Sequence, residues 1–145
     1  MIHYIKGDVT NIQGYEPKLI CHVSNNQGVW GGGFTGSLSR KWKEPEYYYR
    51  RRRRHRLGDV QFVQVNDHIT VVNMIAQVLG DKRGVNLRYM ALRQCLYTIR
   101  DYAINNNCTI HAPRFGAGLA GGDWKIIERM INQILSDVKV YIYDL

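Results

Sequence analysis

An α/β fold, with helices layered on a mostly parallel sheet that carries one antiparallel hairpin, is predicted by three features of this 145-residue chain. Short apolar or alternating runs recur between stretches of helical period, the pattern of strands interleaved with helices. One pair of runs is joined by a tight polar turn, the mark of a hairpin. Two glycine-rich segments each follow a run that reads as a strand, and sheets of this class hold their ligands in such loops.

The elements follow in order. Residues 2–5 alternate with polar neighbours as a first strand, and residues 19–23 form the short apolar run of a buried one. A glycine-rich stretch, residues 28–36, leads to a helical pattern over residues 37–43. Pro45 suits the first turn of another helix that runs through Tyr47, Tyr48 and Tyr49 into a series of arginines. Residues 60–65 alternate as a strand, Asn66 and Asp67 turn the chain, and residues 68–75 return as its partner. The strongest helical period covers residues 86–105, with Leu87, Met90, Ala91, Leu96 and Ile99 mainly on one face. Asn105 to Asn107 break it. Residues 109–112 form a short strand that opens into the second glycine-rich loop, residues 116–122. Asp123 is an N-cap for a helix over residues 124–135, and residues 138–143 close the chain as a strand. With no repeat and no linker, residues 1–145 read as one domain.

Composition excludes several classes. Hydrophobic residues are 45% and charged residues 22%, which argues against disorder. No apolar run approaches the roughly 18 residues of a membrane span, and no leader pattern opens the chain. Cys21, Cys95 and Cys108 are odd in number and lack metal or redox spacing, so they read as reduced thiols in a cytoplasmic protein. His3, His55, His68 and His111 show no ligand spacing, so neither metal nor other cofactor is expected. The net charge of +8 is local: 8 less the 6 of Arg50 to Arg54 and Arg56 leaves +2. That tract, mixed with tyrosines, is either a solvated helix face or a nucleic-acid surface.

Chemistry concentrates in the two loops. Residues 113–124, Pro-Arg-Phe-Gly-Ala-Gly-Leu-Ala-Gly-Gly-Asp-Trp, place glycines between a strand and a helix N-terminus. Free backbone N–H groups can there converge on a phosphate, although the same residues also suit a plain connection. Residues 25–34, Asn-Asn-Gln-Gly-Val-Trp-Gly-Gly-Gly-Phe, offer amides suited to ribose hydroxyls and three successive glycines that admit a bulky ligand. Two such loops at one sheet edge would hold a diphosphate. On the residues alone, His22 is equally a buried histidine bonded to backbone, Asp123 a simple cap and Asp8 a turn residue.

Four segments together resemble the macrodomain family: Tyr4-Ile5-Lys6-Gly7-Asp8-Val9, His22-Val23-Ser24-Asn25-Asn26 with Trp30-Gly31-Gly32-Gly33, Asn73-Met74-Ile75-Ala76-Gln77, and Pro113 through Gly121. The closing Val140-Tyr141-Ile142-Tyr143-Asp144-Leu145 fits as well, so the likeness covers nearly the whole chain. It is strongest to small stand-alone macrodomains of the ADP-ribose 1″-phosphate phosphatase and terminal ADP-ribose glycohydrolase types. The resemblance implies a three-layer α/β/α macrodomain with a central mixed sheet and an ADP-ribose derivative as ligand. It implies that Asp8 accepts from the adenine amino group beside the Val9 backbone, with Tyr143 stacked nearby. Ser24, Asn25, Gly31, Gly32, Gly33, Phe34 and Gln77 would surround the distal ribose. Arg114 and the amides of Phe115, Gly116, Ala117, Gly118, Leu119 and Ala120 would wrap the diphosphate. His22 matches the histidine with a catalytic part in the phosphatase, with Asn25 and Asp123 as further catalytic candidates.

Two departures bear on mechanism. Gln77 stands where the glycohydrolase has its nucleophilic lysine, and an amide forms no sugar adduct. Ala120 stands where that relative has its aspartate, with Asp123 three residues on. The expected reaction is therefore removal of the 1″-phosphate from ADP-ribose 1″-phosphate by a monomer. The alternatives are an ADP-ribose-binding module without turnover, and an ADP-ribosyl hydrolase acting on protein or nucleic-acid ends that Arg50 to Arg56 hold.

Overall fold

A computed structural model describes residues 2–145. Its strands are β1 (Ile2–Lys6), β2 (Lys18–Asn25), β3 (Val60–Gln64), β4 (Ile69–Gln77), β5 (Thr109–Ala112) and β6 (Val140–Asp144). They form one sheet in the order β1-β6-β5-β2-β4-β3, parallel throughout except for the antiparallel pair β3 and β4. The four helices are α1 (Phe34–Lys41), α2 (Glu44–Arg51), α3 (Tyr89–Asn106) and α4 (Trp124–Ile134). The mixed sheet with helices on both faces is the predicted α/β architecture.

Alternation in β2 shows why the sheet is a middle layer. Leu19 and Cys21 point into the core shared with α3 and α4, which includes Met74, Leu96, Ile99, Ile127 and Ile131. Ile20 points the other way, into the α1 and α2 core with Leu38, Tyr49, Val71 and Ile75. Nearly the whole of β2 is buried, since it has a strand on each side and helices on each face. Each buried leucine or isoleucine contributes about 1.5–3 kcal/mol through removal from water.

Three local expectations change. Met90 is 78% exposed, because α3 buries Ala91, Leu92, Cys95, Leu96, Ile99 and Ala103, and position 90 falls outside that stripe. Leu87 precedes α3 and instead bridges Gln77 across the sheet edge. α2 stops at Arg51, with Arg52 already extended, so most of the arginine tract leaves the helix. Asn107 ends α3 in the left-handed conformation, φ 53°, which asparagine tolerates through its short polar side chain. Cys21, Cys95 and Cys108 are unpaired. Among the described residues no helix is long and apolar enough to cross a membrane, and no group of His, Cys, Asp or Glu is placed to hold a metal.

Candidate ligand-binding site

The site opens where the sheet splays. The ladder between β2 and β5 ends at Ile20 and His111, although β2 continues to Asn25. Pro113, just past β5, has no N–H with which to extend the ladder. On its other side β2 shifts register against β4 between Ser24 and Asn25, the kind of irregularity that re-aims side chains at sites. Between the parted strands lies a cavity of about 460 Å³, walled by the two glycine-rich loops and floored by His22, Ser24 and Gln77. That volume suits a small-molecule ligand.

Asn25 builds the first loop. Its Oδ1 accepts from the Gln27 and Val29 amides at 3.0 and 3.2 Å and from the Tyr49 hydroxyl at 3.0 Å. Its Nδ2 donates to the Val29 carbonyl at 2.6 Å. Tyr49, fully buried, also donates to the Asn25 carbonyl at 2.6 Å. The loop then passes Gly31 and Gly32, where an added Cβ would meet no protein atom within 4 Å. The protein's own packing therefore leaves that space open. Asn25 acts as a positioning residue, its amide already engaged by the loop it shapes.

The second loop is pinned to the segment before α3. The Ala120 carbonyl accepts from the Asn86 and Leu87 amides at 2.8 and 3.0 Å, and the Gly122 amide donates to the Gly116 carbonyl at 2.8 Å. Phe115 is buried against Trp124, edge to face. Arg114 forks onto Asp144 at 2.8 and 3.0 Å while its guanidinium lies over the Tyr4 and Trp124 rings. No carboxylate lines the cavity among the described residues, so its electrostatics favour an anion.

His22 lies in mid-strand on the floor, 2% exposed, with its ring near Trp30 and Phe34. Its Nε2 is 2.5 Å from Asn73 Oδ1, and Asn73 Nδ2 donates onward to Gln61 Oε1 at 3.1 Å. That chain makes Nε2 the protonated nitrogen and leaves Nδ1 an acceptor. Burial pushes the imidazole down to about 4, against the opposing Asn73 bond. At neutral pH it is therefore an uncharged acceptor and not a proton donor to a phosphate. Ser24, 5% exposed, lines the cavity with an Oγ that no protein group bonds. A buried hydroxyl without a partner is a place for a ligand's polar atom.

Buried His111 is likewise pushed down to about 4 by burial. Both histidines resist protonation when folded and take protons near pH 6.5 when unfolded, so stability present above that pH is lost on acidification toward 4. Between pH 7 and 5 the two together should cost roughly 2–4 kcal/mol. Urea unfolding at the two pH values measures this; an unmoved midpoint would refute the burial argument.

Several sequence-predicted residues fall elsewhere. Asp123 does not line the cavity: its Oδ1 accepts from the Lys125 amide at 2.9 Å, capping α4. Ala117 is also outside the cavity lining. The Val9 side chain is buried in the α1 and α2 core. Asp8 and Tyr143 line a neighbouring recess of about 420 Å³ on the sheet face beside β1 and β6. There Asp8 Oδ1 accepts from the Thr10 hydroxyl and amide at 2.8 and 2.9 Å, which holds its carboxyl below the usual range. The Tyr143 hydroxyl is 2.7 Å from His111 Nδ1. Arg114 lines the first cavity and pairs with Asp144, and neither residue lines the recess. Conversely, Thr35 and Asn86 line the cavity without having been singled out. A hydroxyl after the glycine run was a legible signal for Thr35; nothing local marks Asn86, which arrives through the pinning of the second loop.

No family model matches the chain. A Bacteroides thetaiotaomicron protein of unknown function has a solved structure that superposes with a TM-score of 0.94 at 42% identity, covering 100% of this chain and 98% of that one. A Streptomyces coelicolor macrodomain protein gives 0.86 at 38% identity, covering 100% and 99%. A Trypanosoma brucei macrodomain solved in complex with ADP-ribose shares the fold, with a TM-score of 0.65 at 17% identity over 98% of this chain and 63% of that one. By sequence, an ADP-ribose 1″-phosphate phosphatase of Lodderomyces elongisporus is 23% identical over 99% of both chains. With the Streptomyces likeness running end to end over the same sheet and loops, the chain belongs to the macrodomain family.

Proposed function

We propose that the cavity binds ADP-ribose and that the protein hydrolyses ADP-ribose 1″-phosphate to ADP-ribose and phosphate. The observation that carries the reading is the pair of glycine-rich loops, leaving neighbouring strands β2 and β5, that wall one carboxylate-free cavity. In this arrangement the diphosphate lies against the backbone of residues 115–120 beside Arg114. The distal ribose meets Ser24, Gly31 to Phe34 and Gln77. The adenine reaches Asp8 and Tyr143 in the neighbouring recess. Two relatives support the ligand, a macrodomain by its bound ADP-ribose and a phosphatase by its name.

Hydrolysis adds water across the phosphate ester: the water oxygen bonds phosphorus, and the anomeric oxygen leaves carrying a proton. His22 Nδ1, an uncharged acceptor held in one tautomer by Asn73, orients that water. Asn25 holds the loop against which the ribose rests. The acting unit is proposed to be a monomer of residues 1–145 in the cytoplasm, which its unpaired thiols suit. A second reading, ADP-ribose binding without turnover, is favoured by the lack, among the described residues, of a lining carboxylate to serve as general acid or base.

Calorimetric titration with ADP-ribose tests both readings, and a flat trace removes both. Phosphate release from ADP-ribose 1″-phosphate then separates them. Turnover should fall at least about 100-fold in His22→Ala while ADP-ribose still binds, within the usual range for a positioned base. Binding with no phosphate release by the native protein leaves only the second reading.

A further inference from the structure

The arginine tract has no part in the cavity, yet it is not a dispersed solvated face. Where α2 ends, the chain turns back beneath the first loop. Asn26, Gln27 and Gly28 and the arginines at 50, 52, 53, 54 and 56 line one recess of about 530 Å³. A second recess, of about 840 Å³, adjoins it through the shared Arg52, Arg53, Arg54 and Arg56. Within the tract Arg50 pairs with Glu46 and Arg52 with Asp59, at 2.7 and 3.3 Å. Among the described residues, Arg51, Arg53, Arg54 and Arg56 have no carboxylate partner. Four unneutralised guanidiniums within six positions repel one another, and a polyanion relieves that repulsion.

Two further observations point to the same class of partner. Tyr47 and Tyr48, on the last turns of α2, are each 51% exposed, and the Arg51 guanidinium lies 5.2 Å over the Tyr47 ring. Exposed aromatic faces beside backbone-neutralising cations are how proteins hold unpaired bases. At the inner end, His55 stacks on Tyr49 with centroids 4.1 Å apart, and Asn26 Oδ1 has no protein partner. That buried oxygen is otherwise unsatisfied.

We propose that this surface binds single-stranded nucleic acid, with phosphates along Arg51 to Arg56 and bases on Tyr47 and Tyr48, on a path that ends behind the first loop. An acidic protein would satisfy the arginines and leave the tyrosine rings without stacking partners. The proposal does not depend on what the cavity holds.

Fluorescence anisotropy with labelled oligothymidine and oligouridine of about 20 nucleotides, across a salt series, tests it. Four phosphate contacts predict a slope of log affinity against log salt near about −3. The combined Arg53→Ala, Arg54→Ala and Arg56→Ala variant should weaken binding at least about 10-fold and flatten the slope toward about −1. Tyr47→Ala with Tyr48→Ala should weaken it about 10-fold at an unchanged slope. All these side chains are exposed, so folding is retained, and ADP-ribose calorimetry on the same variants should not change. The proposal is overturned if the native protein fails to bind either strand at low salt. It is equally overturned if removing Arg93, Arg129 and Lys139 weakens binding as much, or if polyglutamate competes as well as nucleic acid.

Discussion

Gly121→Ala should collapse the second loop, lowering stability by roughly 2–5 kcal/mol and abolishing ADP-ribose binding. Gly121 holds φ +75°, a conformation in which a Cβ is strained, and that Cβ would run into the Gly84 carbonyl oxygen. A backbone atom cannot swing aside as a side chain can. The loop has little room to move, because the Ala120 carbonyl is bonded by two amides and the Gly122 amide by the Gly116 carbonyl. Accommodating one methyl group therefore means breaking the turn that presents residues 115–120. Gly118→Ala is the matching control: its Cβ would meet nothing within 4 Å, so thermal unfolding should stay within about 0.5 kcal/mol of the native protein. Equal destabilisation by the two variants would contradict the loop geometry.

Asn25→Ala should do to the first loop what Gly121→Ala does to the second, by a different route. One amide side chain accepts from two backbone N–H groups and the Tyr49 hydroxyl and donates to the Val29 carbonyl. Truncation leaves those groups without partners in a part-buried site, a loss of about 2–4 kcal/mol. Residues 26–33 should then sample many conformations, and ADP-ribose affinity should fall by about 10- to 100-fold as the ordering cost is met on binding. Asn25→Asp is more telling, because it keeps the acceptor and loses the donor to Val29. It should fall between the native protein and Asn25→Ala in both unfolding and calorimetry. Native-like affinity in Asn25→Ala would show that the loop stands without the side chain.

The strands were legible because their periods are unambiguous. Residues 60–65 and 68–75 alternate, residues 19–23 are apolar, and Asp123 precedes a helical period. Each signal depends on neighbours in sequence, and each gave its element to within a few residues. Met90 lies on the solvent face because, nine residues before Ile99, it stands two and a half turns away and so on the opposite side of α3 from the buried stripe. The end of α2 was also illegible: arginines are good helix formers, and only packing beneath the first loop turns the chain away after Arg51.

Local features follow from neighbours along the chain: which runs form strands and helices, where glycines free the backbone, and the family likeness those motifs carry in order. Which of those residues meet is set by the packed fold. It placed Asp8 and Tyr143 in a separate recess, gave the Asn25 amide to its own loop, and fixed one tautomer of His22 through Asn73. It also brought Thr35 and Asn86 to the cavity. These outcomes depend on strand order and on where one ladder stops, and contacts between residues far apart in the chain leave no period for a sequence to display.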